Sequence, residues 1–363
     1  MLNRQAPASQ QAPSLGSARG AGPDDPRPSV LLVSRAVDRE FTLVSRLLDS
    51  IGIPSARLNA ETVVGRGLVA DLDRRAVRIG KRWISPTVAW VRHFSPRAMP
   101  VRRAALPQAF AADSWQALGE QLGSLCAELI PGAGPGLLDQ LAAAQAAGIA
   151  VPRTVVSTEP VDAASMLGAQ RVIIKALHQH FVEVRPGLLS GVFPEITEAK
   201  SIRPSGRPRG IPVVVQEYVA HEAEVRCYYV RGEIVTFSVH KSDPAEPWLK
   251  PQAVTAEHID TPPPIAAAIS ALAGALSVRY GAFDFLIAGG IPVFLELNWA
   301  GDWRWFETRA RVRLVTTAVT AMLRDLHHDA VRNSFPQDAG GSTWAGHFEL
   351  IRFLSGGSQA DPS

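Results

Sequence analysis

Cysteine is almost missing from this 363-residue chain, with Cys126 and Cys227 the two present. Neither has a second Cys or a His at ligand spacing. That leaves no disulfide framework and no zinc site, only two small buried thiols, one read in a helix and one in a strand. No run of 18 apolar residues occurs, so no membrane-spanning helix is expected. The N-terminus has no apolar stretch of the secretory kind, and a reducing cytoplasm is the expected location. Excess charge is lacking too: 37 Lys and Arg against 34 Asp and Glu give a formal +3. That is too little and too dispersed to hold nucleic acid or an acidic membrane surface. The basic side is nearly all Arg, so a lone Lys inside a strand stands out. No Ser-His-Asp pattern, G-x-S-x-G elbow or P-loop is found, and no internal repeat.

What the chain does have is 46% hydrophobic residues, enough for a substantial core shared by two or three domains. Residues 1–28, rich in Ala, Ser, Gln, Gly and Pro, are expected to be a disordered tail. An α/β unit follows over 29–132. It has a strand at Val30–Val33 and a helix with Phe41, Val44, Leu47, Leu48 and Ile51 on one face, stopped by Gly52 and Pro54. A hairpin is expected over 67–84 with its turn near Asp73, a strand over Val88–Val91, and a second helix marked by Trp115, Leu118, Leu122, Leu125 and Leu129. The Pro/Gly stretch 131–136 opens a second unit, 133–219. This holds a helix from Leu137 to Ala147, a strand Val172–Lys175 and a long polar loop containing Gly187 and Gly191. The third unit, 220–332, begins with strands over 225–230 and 234–239 joined at Arg231-Gly232. It continues with a helix 265–276, a strand pair around Gly289-Gly290 and one long helix over 307–328. Residues 333–363 are read as a partly disordered extension in which Trp344, Phe348 and Leu350 can dock on the body.

Four clusters carry chemistry. In the strand Phe294–Asn298, alternation puts Glu296 and Asn298 on one face, and Asp284 on the partner strand can join them. Two carboxylates and an amide oxygen on one sheet face repel unless a cation lies between them, and hard oxygen ligands suit Mg²⁺ shared with a nucleotide's phosphates. An ordinary solvated face is the competing reading, against which stand the apolar neighbours Phe283, Phe285, Leu295 and Leu297. Second, the strand ending Gln216-Glu217-Tyr218-Val219 offers backbone groups to an adenine edge. Glu224, seven residues after Glu217, can accept from ribose hydroxyls, and Arg226, on the same face as Glu224, can reach phosphates; a simple Glu224–Arg226 pair is the alternative. Third, Lys175 ends a strand and can grip a phosphate, with His178, His180, Glu183 and Arg185 on the loop beyond. Fourth, Gly301–Glu307 follows the metal strand, where Arg304 or Arg309 can hold a substrate carboxylate and Trp303 and Trp305 form a wall. Aromatic packing at a helix start is the alternative there.

In this order the clusters resemble the ATP-grasp superfamily of ligases over about 30–328. Lys175, Gln216–Val219, Glu224, Arg226, Tyr280–Asp284 and Phe294–Asn298 fall where that family places its ATP and metal ligands. Within it the chain looks most like the microviridin-type maturases of ribosomal peptides, through Thr87–Arg92 and through Glu296–Trp303. It is also similar to ribosomal-protein glutamate ligases and glutathione synthetases. The resemblance implies an α/β fold with an N-terminal pre-ATP-grasp domain and two sheet-containing subdomains that clasp ATP and two Mg²⁺ ions. Lys175 and Arg226 would act as catalytic cations, and the product would be an amide or ester made through an acyl phosphate. A precursor peptide is the implied partner and a homodimer the implied assembly. The chain departs from the family at Trp299, Ala300 and Asp302, which replace Pro, Asn and Gln, and at the start of the helix near Leu137, which lacks the usual phosphate-binding Lys. Two other classes stay open: an ATP-binding peptide-recognition protein without ligation, and a small-acid kinase.

Overall fold

The computed structural model describes residues 25–99, 105–178, 181–185, 188–191, 194–203, 210–241 and 254–334. Most of the expected tail, the proposed docking residues Trp344, Phe348 and Leu350, and also His180 and Gly187 lie outside the described residues.

The first unit runs β1 (Arg27–Ser34), α1 (Arg39–Ser50), β2 (Ser55–Asn59), α2 (Ala60–Arg66), β3 (Leu68–Asp71), β4 (Ala76–Ile79), β5 (Arg82–Val91), α3 (Ala105–Gln121) and β6 (Glu128–Ile130). The strand order is β2-β1-β5-β4-β3, with β6 beside β5. Val30 to Val33 are wholly buried, as a continuous apolar run in a parallel strand covered on both faces requires. Asp38 caps α1, its carboxylate accepting from the Phe41 N–H at 2.9 Å, which satisfies one of the orphan donors of the first turn. The first strand starts at Arg27, so the expected tail ends two residues too late. The expected second helix also stops early: a short turn over Leu122–Leu125 buries both leucines, and Leu129 belongs to β6, paired in parallel with β5. Cys126 therefore lies between helix and strand, not in a helix.

The second unit contains α4 (Leu137–Ala146), β7 (Thr154–Ser157), α5 (Pro160–Leu167), β8 (Arg171–Ala176), β9 (Phe181–Arg185), β10 (Leu188–Gly191), β11 (Glu195–Glu198) and β12 (Val213–Glu217). Its antiparallel sheet is ordered β11-β8-β12-β7. The stretch expected as a long polar loop is instead the separate hairpin β9–β10. Val182 and Val184 alternate in sequence with Glu183 and Arg185, a strand pattern hidden by the glycines around it.

The third unit contains β13 (Ala223–Val230), β14 (Glu233–Lys241), β15 (Val254–Ile259), α6 (Pro263–Ala275), β16 (Tyr280–Ala288), β17 (Ile291–Asn298), α7 (Arg304–Ala310) and α8 (Leu314–Ser334). Its antiparallel sheet is ordered β15-β14-β13-β16-β17. Gly289 and Gly290 both take positive φ in the β16–β17 turn, as a two-residue hairpin turn demands. The single C-terminal helix expected over 307–328 is broken at Arg311, at φ 58°. The Glu307 carboxylate takes hydrogen bonds from the Thr316 N–H at 2.8 Å and its hydroxyl at 2.6 Å. It satisfies the first turn of α8 where a continuous helix would have left those groups to the backbone.

The cores show which units move together. One cluster joins Val30, Phe41, Val88 and Trp90 of the first unit to Tyr228, Phe237, Tyr280, Trp303 and the buried face of α8. A second lies on the other face of the large sheet, under α4 and α6. The small sheet has its own cluster, built from Ala163, Ala164, Leu167, Val172, Ile174, Ile202 and Val215. The first unit and the large sheet thus form one body, and the small sheet is cored separately against it. Among the described residues no helix is long and apolar enough to cross a membrane.

Candidate active site

The register of three neighbouring strands lines up the charges. Arg226 on β13 is opposite Asp284 on β16, which is opposite Glu296 on β17. Ala282 is opposite Asn298 on the same ladder, so Asp284, Glu296 and Asn298 share one face, as alternation required. Arg226 Nη1 donates to both Asp284 oxygens at 3.1 Å. Lys175, reaching from β8 of the small sheet, donates to Glu296 Oε2 at 3.0 Å. The result is a row of cation, anion, anion and cation that bridges the two sheets. Burial pushes the Asp284 carboxyl up to about 6, with Glu296 and Glu224 adding to the rise and Arg226 and Lys175 opposing it. Arg226 Nε is buried with no hydrogen-bond partner, a donor left over for an oxygen from outside the chain.

The row fits a divalent ion. Like charges directly opposite on a ladder destabilise it, and here they are tolerated because a side-chain cation stands at each end. A hard cation among Asp284, Glu296 and the Asn298 amide would take over that neutralisation. Among the described residues no three His, Cys, Asp or Glu side chains converge on one point; this donor set is two carboxylates and an amide. Burial pushes the Cys227 thiol up to about 12 and raises that of Cys126, so neither is a ready nucleophile.

β17 would be an exposed edge but for α4. The buried Gln140 side chain accepts from the Leu297 N–H at 2.8 Å and donates to the Leu297 carbonyl at 3.1 Å and the Pro135 carbonyl at 2.9 Å. It takes the place of a neighbouring strand beside Glu296 and Asn298. The linker before α4 lies close under Trp299: a Cβ on Gly134 would collide with the indole ring, and Trp299 Nε1 donates to the Pro135 carbonyl at 3.3 Å.

The hinge from β12 to β13 joins the sheets. Its side chains are already engaged: Gln216 donates to Thr154 Oγ1 at 2.8 Å, Glu217 accepts from the Arg153 N–H at 2.8 Å, and the Arg171 guanidinium lies 4.2 Å over the Tyr218 ring. The Val219 carbonyl is 2.8 Å from His221 Nδ1. Glu224 is paired with Lys241 and with His221 at 3.3 Å, not with Arg226. Lys241 and His221 gave no signal in the sequence, since their role depends on strand pairing.

A cleft of about 2640 Å³ opens between the first unit and both sheets. Lys175, His178, Glu183, Glu296, Asn298, Arg304, Trp305 and Arg309 line it, whereas Arg226, Asp284, Glu224 and the hinge 216–219 do not. Arg309 stacks on Trp305 at 5.0 Å and donates to the Val254 carbonyl at 3.2 Å. Trp303, expected in the substrate wall, is instead core: 1% exposed, stacked on Trp90, with its Nε1 donating to Thr316 Oγ1 at 3.0 Å. Glu183 turns toward the first unit and pairs with Arg35 at 3.0 Å, which ties the β9–β10 hairpin across the cleft. Arg92, quoted in the sequence for resemblance alone, is fully buried between Asp38, Asp302, Phe41 and Trp303.

Residues 132–276 match a family described as an ATP-grasp domain, the third family of its clade. No curated protein matches the chain in sequence. Among solved structures, the macrocyclase MdnC from Microcystis aeruginosa MRC, bound with precursor peptide MdnA, matches with a TM-score of 0.66 at 17% identity, over 82% of this chain and 99% of that one. A Chryseobacterium gregarium RiPP-associated ATP-grasp ligase, in complex with ADP and a leader and core peptide, matches at 0.65 and 17% identity, over 82% and 96%. The ATP-grasp ligase PsnB, complexed with a phosphomimetic variant of its minimal precursor, Mg and ADP, matches at 0.63 and 17% identity, over 83% and 99%.

Proposed function

Starting from a chain that has the ATP-grasp fold, we propose an ATP-dependent ligase that turns a carboxylate into an acyl phosphate and joins it to an amine, or to a hydroxyl, on a peptide. The row Arg226–Asp284–Glu296–Lys175 carries this reading. It is a set of opposed charges across two sheets, with a surplus donor on Arg226, and it suits a polyanion entering with its own cation. Asp284, Glu296 and Asn298 would hold Mg²⁺, which when bound supplies positive charge against phosphate oxygens. A nucleotide drawn between the sheets displaces Lys175 from Glu296, and the freed ammonium then grips phosphate. Arg226 Nε and Lys175 together offset charge on the transferring group, an effect of position and electrostatics. Backbone groups of Gln216–Val219 meet the adenine edge and Glu224 the ribose. Arg304 and Arg309 orient the carboxylate that is activated. With no Lys at the start of α4, whose N-cap Gly136 is bonded to Asp139, phosphate grip falls on Lys175 and His178.

The peptide part of the proposal rests on size and kinship. Clefts for a single drug-sized ligand hold about 300–1,000 Å³, and this one is far larger. The solved relatives are bound with precursor, leader or core peptides. The test is ADP release by the purified chain with ATP, Mg²⁺ and a peptide encoded beside its gene, together with mass spectrometry of the peptide. Loss of one water per ADP formed is the expected result. A stable phosphorylated product would replace the ligase with a kinase, and nucleotide binding with no turnover on any carboxylate would leave a recognition module.

A further inference from the structure

The loop after β17 is fixed from three sides. The Tyr280 hydroxyl donates to the Gly301 carbonyl at 2.5 Å, and the Tyr228 hydroxyl to the Asp302 carbonyl. Arg92 Nε donates to the Ala300 carbonyl at 3.3 Å. The loop also touches the charge row, since a Cβ on Gly301 would come within 3.2 Å of an Arg226 terminal nitrogen. So placed, Asp302 Oδ1 receives both Arg92 Nη2 and, at 2.9 Å, His93 Nε2. Arg92 is held in turn by Asp38 at 3.4 Å and Glu40 at 4.0 Å. These four, Arg92, Asp302, Asp38 and Glu40, are the charged groups gathered around the imidazole.

His93 follows directly after β5 and takes φ 51°. A non-glycine residue in the left-handed region costs about 1 kcal/mol or more, and such strain persists where the surroundings enforce it. Here the strain turns the ring into the cleft wall, 38% exposed. Nε2 faces Asp302, which fixes its proton on that side and leaves the Nδ1 lone pair for a proton from outside. Asp302 stands where the related maturases have Gln, so the carboxylate that orients His93 is this chain's own feature.

We propose that His93, oriented by Asp302, is the base that takes the proton from the attacking nucleophile in the second half of the reaction. This rests on the ligase reading above. As the amine nitrogen bonds to the acyl carbon, its N–H proton passes to Nδ1. The bond from that carbon to the phosphate oxygen breaks, and its electron pair leaves with phosphate. The imidazolium then returns the proton to solvent. The first half, phosphorylation of the carboxylate, needs no such base and is independent of His93.

Hydroxylamine separates the halves, because it is unprotonated near neutral pH and captures an acyl phosphate without help. The test uses the full chain with ATP, Mg²⁺ and the carboxylate peptide. His93→Asn, which tolerates the left-handed backbone, and His93→Gln are compared with the wild type. Expected are hydroxamate formation within about twofold of the wild type and product formation with the natural nucleophile about 10²–10⁴-fold slower. Asp302→Asn should lower product formation alone and move the acidic limb of its pH profile. An equal fall in hydroxamate and product in both His93 variants would make His93 structural and overturn the assignment, as would product formation within threefold of the wild type. If the wild type itself forms no hydroxamate, the ligase reading fails first and the base assignment falls with it.

Discussion

Glu296 is opposite Asp284 and also receives Lys175 at 3.0 Å, so replacing it disturbs both the cation site and the bridge between the sheets. Glu296→Gln keeps the shape and can still accept from Lys175, yet it removes the charge a divalent ion needs. ATP turnover should fall by about 10²–10³-fold or more, with the melting temperature within a few degrees of the wild type. Turnover close to normal would remove Glu296 from the site. Gln140 makes the opposite case, a residue that touches no charge but fixes the strand that bears it. Gln140→Leu leaves the Leu297 N–H and carbonyl buried without partners. At about 1–3 kcal/mol for each stranded group, urea denaturation should show a loss of about 2–4 kcal/mol. A loss below about 0.5 kcal/mol would mean that water reaches this edge.

At the scale of elements, α8 and β5 meet through a histidine. The Thr87 hydroxyl donates to the Ser29 carbonyl at 3.1 Å, so its contact with His327 Nδ1 at 2.8 Å has the imidazole as donor and the ring neutral. Burial, with a smaller push from His328, lowers the His327 pKa to about 4. The unfolded chain then binds the proton more readily than the folded one. The stability present above about pH 6.5 is lost as pH falls toward 4, by about 3 kcal/mol in all. His327→Gln cannot titrate, so its urea-unfolding free energy should decline less over that range. Parallel pH curves for the two proteins would exclude His327 as the acid-sensitive group. Local pattern made several elements legible: β16 and β17 came from alternation around Gly289-Gly290, and the metal face from the spacing of Glu296 and Asn298. The break between α7 and α8 was hidden, because it depends on Glu307 capping a helix that starts seven residues later. The end of α3 was hidden too, because Leu122, Leu125 and Leu129 keep a helical spacing while Leu129 serves a strand. The pairs Lys175–Glu296, Arg35–Glu183 and Arg92–Asp302 span 121, 148 and 210 residues, and no local pattern encodes such meetings.

For the whole molecule, the distribution of cores sets what opens first. The small sheet rests on a cluster of seven buried residues, while the large sheet is covered on both faces and shares one of them with the first unit. Hydrogen exchange should therefore find lower opening free energies for β8 and β12 than for β13 and β16, and added nucleotide should raise protection most in the former. Equal protection in both sheets without nucleotide would show a single cooperative body. The shared core also bears on where this chain can be cut. A fragment ending at 276, where the family match ends, keeps Lys175 and Arg226 but leaves Asp284 and Glu296 behind, and it strips β13 and β14 of Tyr280, Trp303 and α8. Anyone grafting a new recognition domain onto this enzyme must carry the C-terminal helices across with the front of the chain, since the two ends of the polypeptide were fitted to each other as one piece.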